Sequence, residues 1–304
     1  MKYLILLAFL DYASSQETIG SGYTKLNLFD FVKSNYKTNS TLGYSLARDV
    51  MYSEIDIQDG GILKGIYTDY SIVLDLSQDP SSNAYEQDIN CEHSWPQSMG
   101  SGSEPQKSDI HHLYPSRVNV NSARGNKPYG EIEDQNTDRW YRFDIEQSSI
   151  PNQNLNEYSE VDFGGDRFEP REDVKGNIAR SMFYFYTIYN EIADEEFFQQ
   201  QIDALYEWHK NDIVDFTELN RTYQIASYQD NIANPFVIDS SLVRRIWYFE
   251  CYDDVTSDNL LSNLLISGNY DVLLDINSDG KTDLVDLIFS ISRDEGQDGY
   301  FICD

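Results

Sequence analysis

The chain has 304 residues, 40% of them hydrophobic, with 22 Lys and Arg against 52 Asp and Glu and a net charge of −30. That apolar share supports a packed core and excludes wholesale disorder. The charge excludes a protein held to nucleic acid by its overall field, so any such partner must be bound locally. Lys2, the apolar run Tyr3 to Leu10 and the small residues Ala13, Ser14 and Ser15 read as a signal peptide over 1–15. The run is too short to span a bilayer, which points to a secreted chain, extracellular or periplasmic. A helix is predicted over Tyr44 to Met51, and strands at Gly65-Ile66-Tyr67 and Ser71 to Leu76. Ser77 to Asn90 reads as a surface loop because it is rich in Ser, Asp and Asn and contains Pro80. Residues 131–170 are polar, with one strand at Trp140 to Phe143.

From Val174 to Ile192 the pattern becomes a long aromatic helix, apolar around much of its circumference, which belongs in a core. A second helix is predicted from Glu195 to His209 and a third from Asp215 to Tyr228, with Asn234-Pro235-Phe236 closing that unit and Ser240 to Phe249 as its last apolar segment. The expected organisation is a large domain over 16–250 and an acidic segment over 251–304, which holds twelve acids against Lys281 and Arg293. The three cysteines show no metal spacing; Cys251 and Cys303 are a candidate clip for the C-terminal segment, leaving Cys91 alone.

Three of the four histidines fall between positions 93 and 112, within a stretch (Glu92 to Gly130) whose net charge is +1 in this acidic chain. Phosphodiester hydrolysis needs a base near neutral pH, which histidine supplies. It also needs a hard cation for the charge on the phosphate, and Mg²⁺ is content with one carboxylate, one amide and waters. Glu92, Asn121, His93 and Arg124 supply carboxylate, amide, base and a phosphate-holding guanidinium within 33 positions. For His112 and His209 a structural role is the expectation.

Cys91-Glu92-His93, Ser108-Asp109-Ile110-His111-His112-Leu113 and Val120-Asn121-Ser122-Ala123-Arg124-Gly125-Asn126 together resemble the bacterial endonuclease I family. Trp95 to Ser98, Phe168-Glu169-Pro170, Ile178-Ala179-Arg180 and Trp208-His209-Lys210 extend the likeness over roughly 40 to 250. The resemblance implies an α+β fold: a His-Me finger (ββα-metal) nuclease core with several packed helices. It implies that His93 activates water, that Glu92 and Asn121 bind Mg²⁺ or Mn²⁺, and that Arg124 supports the phosphate. It further implies that Asp109, His111 and Asn126 orient the base and ligands, that the substrate is DNA or RNA, and that 5′-phosphate ends result. A monomer is the expected state.

Asp275, Asn277, Asp279, Lys281 (through its carbonyl), Asp283 and Asp286 fit a Ca²⁺ loop with Gly280 at the sharp turn. The final Asp makes the loop resemble a single dockerin repeat, an EF-hand-like segment, with one copy where dockerins carry two. A competing reading is a calcium-dependent binding or surface-attachment protein on an inactive nuclease fold; the intact Glu-His/Asn/Arg set favours the enzyme.

Overall fold

A computed structural model describes residues 18–249, 257–266, 282–284 and 287. The signal peptide, Cys251, Cys303 and the calcium ligands Asp275, Asn277, Asp279, Lys281 and Asp286 lie outside the described residues; Asp283 is described, as a bend. The chain divides into two units, one of residues 36–237 and one combining residues up to 35 with those from 238 on.

Helix α1 (Lys25–Tyr36) buries Leu28, Phe29 and Val32 in the smaller unit. In the larger unit α2 (Tyr44–Val50) starts after Gly43 and runs without a break into a π-helical turn at Met51–Ile55, burying Met51, Tyr52 and Ile55. A three-stranded antiparallel meander follows: β1 (Ile57–Gln58), β2 (Ile62–Lys64) and β3 (Ser71–Val73). The strand expected at Gly65-Ile66-Tyr67 is instead a turn. Gly65 lies so close to strand neighbours that an added Cβ would sit 3.1 Å from Arg117 N, and Asp69 N–H closes the turn on Gly65 O at 3.0 Å.

The surface loop expected at Ser77 to Asn90 is also overturned, because it contains α3 (Pro80–Glu86). The Asp79 side chain accepts from Ser82 N–H and Pro80 stands in the first turn. Aspartate then proline reads as a turn, but it is equally an N-cap followed by the one helical position where a missing N–H does no harm.

Strand β4 (Ile89–His93) pairs antiparallel with β5 (Leu113–Arg117), which leads directly into α4 (Val118–Arg124). The third sheet holds β6 (Arg139–Arg142), β7 (Ile145–Gln147), β8 (Ser159–Asp162) and β9 (Arg167–Glu169) in the order β7-β6-β8-β9, all antiparallel. Only β6 was legible beforehand, and it ends at Arg142 because Phe143 adopts φ +50 at the hairpin turn.

The aromatic helix is α5 (Lys175–Tyr189), where every residue but Asn177 is buried. The single helix expected from Glu195 to His209 is two, α6 (Glu195–Gln199) and α7 (Ile202–Asn211). Gln201 divides them: its amide donates to Phe197 O and its Oε1 accepts from Tyr129 N–H at 3.0 Å, while its own N–H turns to Phe198 O. Helix α8 (Phe216–Ala226) is capped by Asp215 and tied to α5 by Arg180, which holds both oxygens of Glu218 at 2.6 and 2.7 Å.

Asn234 Oδ1 accepts from Phe236 N–H at the start of α9 (Pro235–Ile238), where the larger unit ends. In the smaller unit α10 (Leu242–Trp247) presents Arg245, whose guanidinium donates to Ile19 O at 2.9 Å and Gly20 O at 2.7 Å. Leu260 of α11 (Ser257–Ile266) is buried with Leu287. Among the described residues no helix is long and apolar enough to cross a membrane.

Candidate active site

The β4–β5–α4 unit is anchored from behind. Ile89 and Leu113 join Ile110, Ala47, Val50 and Met51 in one hydrophobic cluster, so the strand pair cannot slide without exposing them. Registry places Glu92 opposite Tyr114 and His93 opposite Leu113, and Ser94 N–H extends the ladder to His112 O.

Glu92 is only 2% exposed. Its Oε1 accepts from the Tyr67 hydroxyl at 2.6 Å and lies 3.2 Å from Arg124, and Tyr67 is itself backed by the Tyr129 hydroxyl at 2.6 Å. No hydrogen bond engages Oε2 among the described residues. Burial raises the Glu92 carboxyl above its ordinary range despite Arg124 and Tyr67. A bare carboxylate is therefore disfavoured there, and a further cation beside it would be stabilised.

Asn121 projects from α4 toward the same strand. Its amide nitrogen donates to Asn90 Oδ1 at 2.8 Å and to Cys91 O at 3.2 Å. That fixes the amide plane and leaves Oδ1 without a hydrogen bond among the described residues. Two oxygens of the kind a hard cation takes are thus held in place and unengaged, so the residues present fit a Mg²⁺- or Mn²⁺-type ion.

His93 is buried, with Nε2 at 3.0 Å from Lys107 O. A carbonyl only accepts, so Nε2 carries the proton and Nδ1 presents the lone pair. The nearest donor to Nδ1 is the Gln97 amide, at a long 3.4 Å. Burial, and then His112, push the His93 pKa down to about 3, so the ring is neutral at physiological pH. Its faces are packed by Tyr44 and His112, each with ring centroids 5.4 Å away.

Three expected roles are corrected. Arg124 is fully buried and donates to His93 O at 3.0 Å and Ser94 O at 2.7 Å, with its guanidinium 4.6 Å from the Tyr129 ring centroid. It braces the strand that carries Glu92 and His93 and is not free to take a phosphate oxygen. His111 does not touch the base; its Nε2 donates to Ile232 O at 2.9 Å and its ring meets Tyr184. Asn126 is exposed beyond Gly125, where α4 ends, and its side chain makes no hydrogen bond among the described residues.

Asp109 is buried as expected of an orienting group, but it orients the scaffold. Its oxygens accept from Tyr184 and Tyr189 at 2.8 Å each, from Gln229 at 2.8 Å and from His111 N–H at 3.1 Å. Burial alone would raise its carboxyl; the neighbouring imidazoles and donors outweigh that and hold it below the ordinary value.

The imidazole against His93 is that of His112, whose Nε2 donates to Gln106 O at 2.6 Å while Phe185 meets its ring. Tyr67 and Tyr129 were not singled out from sequence either, since isolated tyrosines in a tyrosine-rich chain carry no spacing signal. Cys91 is a free thiol, pushed up to about 12 by burial and inert as a nucleophile.

Glu131, Glu169 and Glu172 also converge, but Lys175 Nζ lies 2.8, 2.7 and 2.7 Å from them and fills the role of the cation. Trp208 completes this cluster, its ring 5.2 Å from Nζ and its N–H on Glu131.

The buried neutral histidine and the carboxylate thus lie on β4, and the amide on α4, the helix that follows the β4–β5 pair. The chain matches the Endonuclease I family over residues 21–241 and belongs to it. Among its relatives, the extracellular ribonuclease of Bacillus amyloliquefaciens is 34% identical over 177 residues, covering 53% of this chain and 54% of the relative. The extracellular ribonuclease of Bacillus subtilis (strain 168) is 33% identical over 175 residues, with the same coverage. The chain spans about half the length of the curated relatives it matches.

Proposed function

We propose that the chain is a secreted, divalent-metal-dependent endonuclease of the His-Me finger type that hydrolyses phosphodiester bonds of DNA or RNA and leaves 5′-phosphate ends. The observation that carries this reading is His93: a neutral imidazole whose proton is held on Nε2 by Lys107 O, leaving Nδ1 as a base on the same strand as Glu92, against whose main chain Asn121 is hydrogen-bonded. Glu92 Oε2 and Asn121 Oδ1 would hold Mg²⁺ or Mn²⁺. Bound there, the ion supplies Lewis acidity, offsetting phosphate charge and acidifying water enough for a weak base.

His93 Nδ1 takes a proton from the attacking water as its oxygen bonds to phosphorus, the P–O3′ bond breaks, and the departing 3′ oxygen takes a proton from solvent. Arg124 braces the main chain of His93, and the Lys107 carbonyl keeps the imidazole from turning. That the relatives are extracellular ribonucleases supports secretion and favours RNA among the substrates. Ca²⁺ binding by the 275–286 loop belongs to the same proposal, resting on ligand spacing. Isothermal titration of the full chain with Ca²⁺ tests it, with Asp275→Ala and Asp279→Ala expected to abolish the heat.

The test of the enzyme reading is digestion of plasmid and RNA with Mg²⁺ and with chelator. His93→Ala should slow cleavage by about 10²-fold or more with the fold intact. Unchanged digestion by that variant would sink the assignment.

A further inference from the structure

Cleavage of a phosphodiester calls for a protein cation on the substrate, and Arg124 is committed to strand β4. Arg48 and Lys107 are less deeply buried than Arg124 and lie near the base. Arg48 lies in the last turn of α2, and Lys107 in the 3₁₀ turn Gln106–Ser108 whose carbonyl holds His93. Both are half-buried and both point at one ring: Arg48 Cζ is 4.6 Å and Lys107 Nζ 4.9 Å from the centroid of Tyr44. The Tyr44 ring in turn packs on His93 at 5.4 Å. Each cation is therefore two ring contacts or fewer from the proposed base.

Neither is locked in an ion pair. Most cations of this unit sit within 4.0 Å of a carboxylate, as Lys64, Arg139, Arg142 and Arg221 do. Neither Arg48 nor Lys107 has such a partner among the described residues. The acids around them are occupied: Glu104 by Tyr44 N–H and Ser108 Oγ, Asp49 by Ser81, and Asp79 by capping α3. Arg48 Nε is buried with no hydrogen bond. In a chain of net charge −30, two cations without an ion pair meet on one ring. An aromatic face explains the choice of partner, because it positions a cation through its quadrupole without cancelling the charge, as a carboxylate would.

We propose that Arg48 and Lys107, both packed on Tyr44, form a shelf that binds a backbone phosphate of the polynucleotide next to His93. This rests on the endonuclease reading above and names the substrate-binding cations of the same site. Both act as binding residues. The side chain of Lys107 can change while its carbonyl still holds His93, so loss should fall on KM more than on kcat.

The experiment uses the full chain and a fluorescein-labelled single-stranded RNA oligonucleotide. Binding is measured in chelator over a series of salt concentrations, and cleavage in Mg²⁺. Arg48→Gln and Lys107→Gln should each raise Kd and KM about tenfold, keep kcat within about twofold, and lower the slope of log affinity against log salt by about 1 relative to wild type. Lys107→Arg and Arg48→Lys should restore most of the loss. Lys210→Gln, at an exposed lysine paired with Glu207, should change neither quantity.

Variants that melt like wild type, yet show unchanged KM and salt slope, overturn the shelf while leaving the nuclease standing. Wild-type protein that neither binds nor cuts overturns the endonuclease reading, and the shelf with it. If Arg48→Gln fails to fold, the Lys107→Gln and Lys107→Glu pair decides, with the reversal expected to show the larger loss in both quantities.

Discussion

Replacing Arg124 by alanine separates two roles for one guanidinium. In the structure it donates to His93 O at 3.0 Å and Ser94 O at 2.7 Å and stands 3.2 Å from Glu92 Oε1, fully buried. Truncation leaves two buried carbonyls short of donors and a buried carboxylate without its partner charge. Removing one member of a buried pair costs about 3–5 kcal/mol. In a domain of about 200 residues each kcal/mol moves Tm by roughly 2–4 °C, so a drop on the order of 6–20 °C is expected. Differential scanning calorimetry in chelator measures this without any ligand present. Glu92, already raised by burial, should rise further in the variant. If Arg124→Ala instead melts within about 2 °C of wild type while turnover collapses, the bracing role is wrong and a phosphate contact is right.

Tyr67→Phe removes one hydroxyl from Glu92 Oε1 and should weaken the Mg²⁺ requirement curve by about tenfold, read as the metal concentration at half-maximal cleavage; an unmoved midpoint counts against Glu92 as a ligand. Asp109→Ala strips the acceptor from two tyrosines, Gln229 and a backbone N–H, and should lower stability by at least about 3 kcal/mol in urea unfolding. A loss below about 1 kcal/mol would show that these donors find other partners.

The acid behaviour has a definite sign. Burial lowers His111 and His112, so below about pH 6.5 the unfolded chain takes up protons that the folded chain refuses. Their contribution is complete above that pH and is lost as pH falls toward the folded values. Glu160, raised by burial to about 7, pulls the other way between its unfolded value and that pH. The comparison is therefore between wild type and His112→Asn, whose Tm should fall less steeply from pH 6.5 to 5; a steeper fall would refute the direction. Histidine ¹⁵N spectra at pH 5.5 should show His93 still neutral.

The site was legible where chemistry forced rare residues together. Glu92, His93 and Asn121 stand out because few residue types could fill the proposed roles, and the hydrogen bond from Asn121 on α4 to Cys91 O ties the helix to the strand that carries the other two. Arg124 misled because a guanidinium near a phosphate site looks the same in sequence whether it faces substrate or main chain. His111 and His112 were exchanged in role because adjacent residues point to different sides, and only the packing of Tyr184 and Phe185 decides which imidazole meets the base. The aromatic helix α5 was plain because burial all round it leaves no polar face to confuse its period. Strands β7 to β9 were hidden in polar, glycine-bearing sequence, since their pairing is long-range and short strands carry few alternations. Asp79-Pro80 was read as a break because the same two residues open a helix and make a turn.

The ammonium of Lys175, set among three glutamates where β9 gives way to α5, has a consequence for how this acidic protein meets its surroundings. It is a counter-ion tethered by its own backbone, with an effective concentration that dilution does not change. Chelators and ion exchange cannot strip it out, so the junction between the third sheet and the central helix stays knit in metal-poor water. Losing the proposed divalent ion would then silence the proposed chemistry while leaving that junction intact for the ion's return.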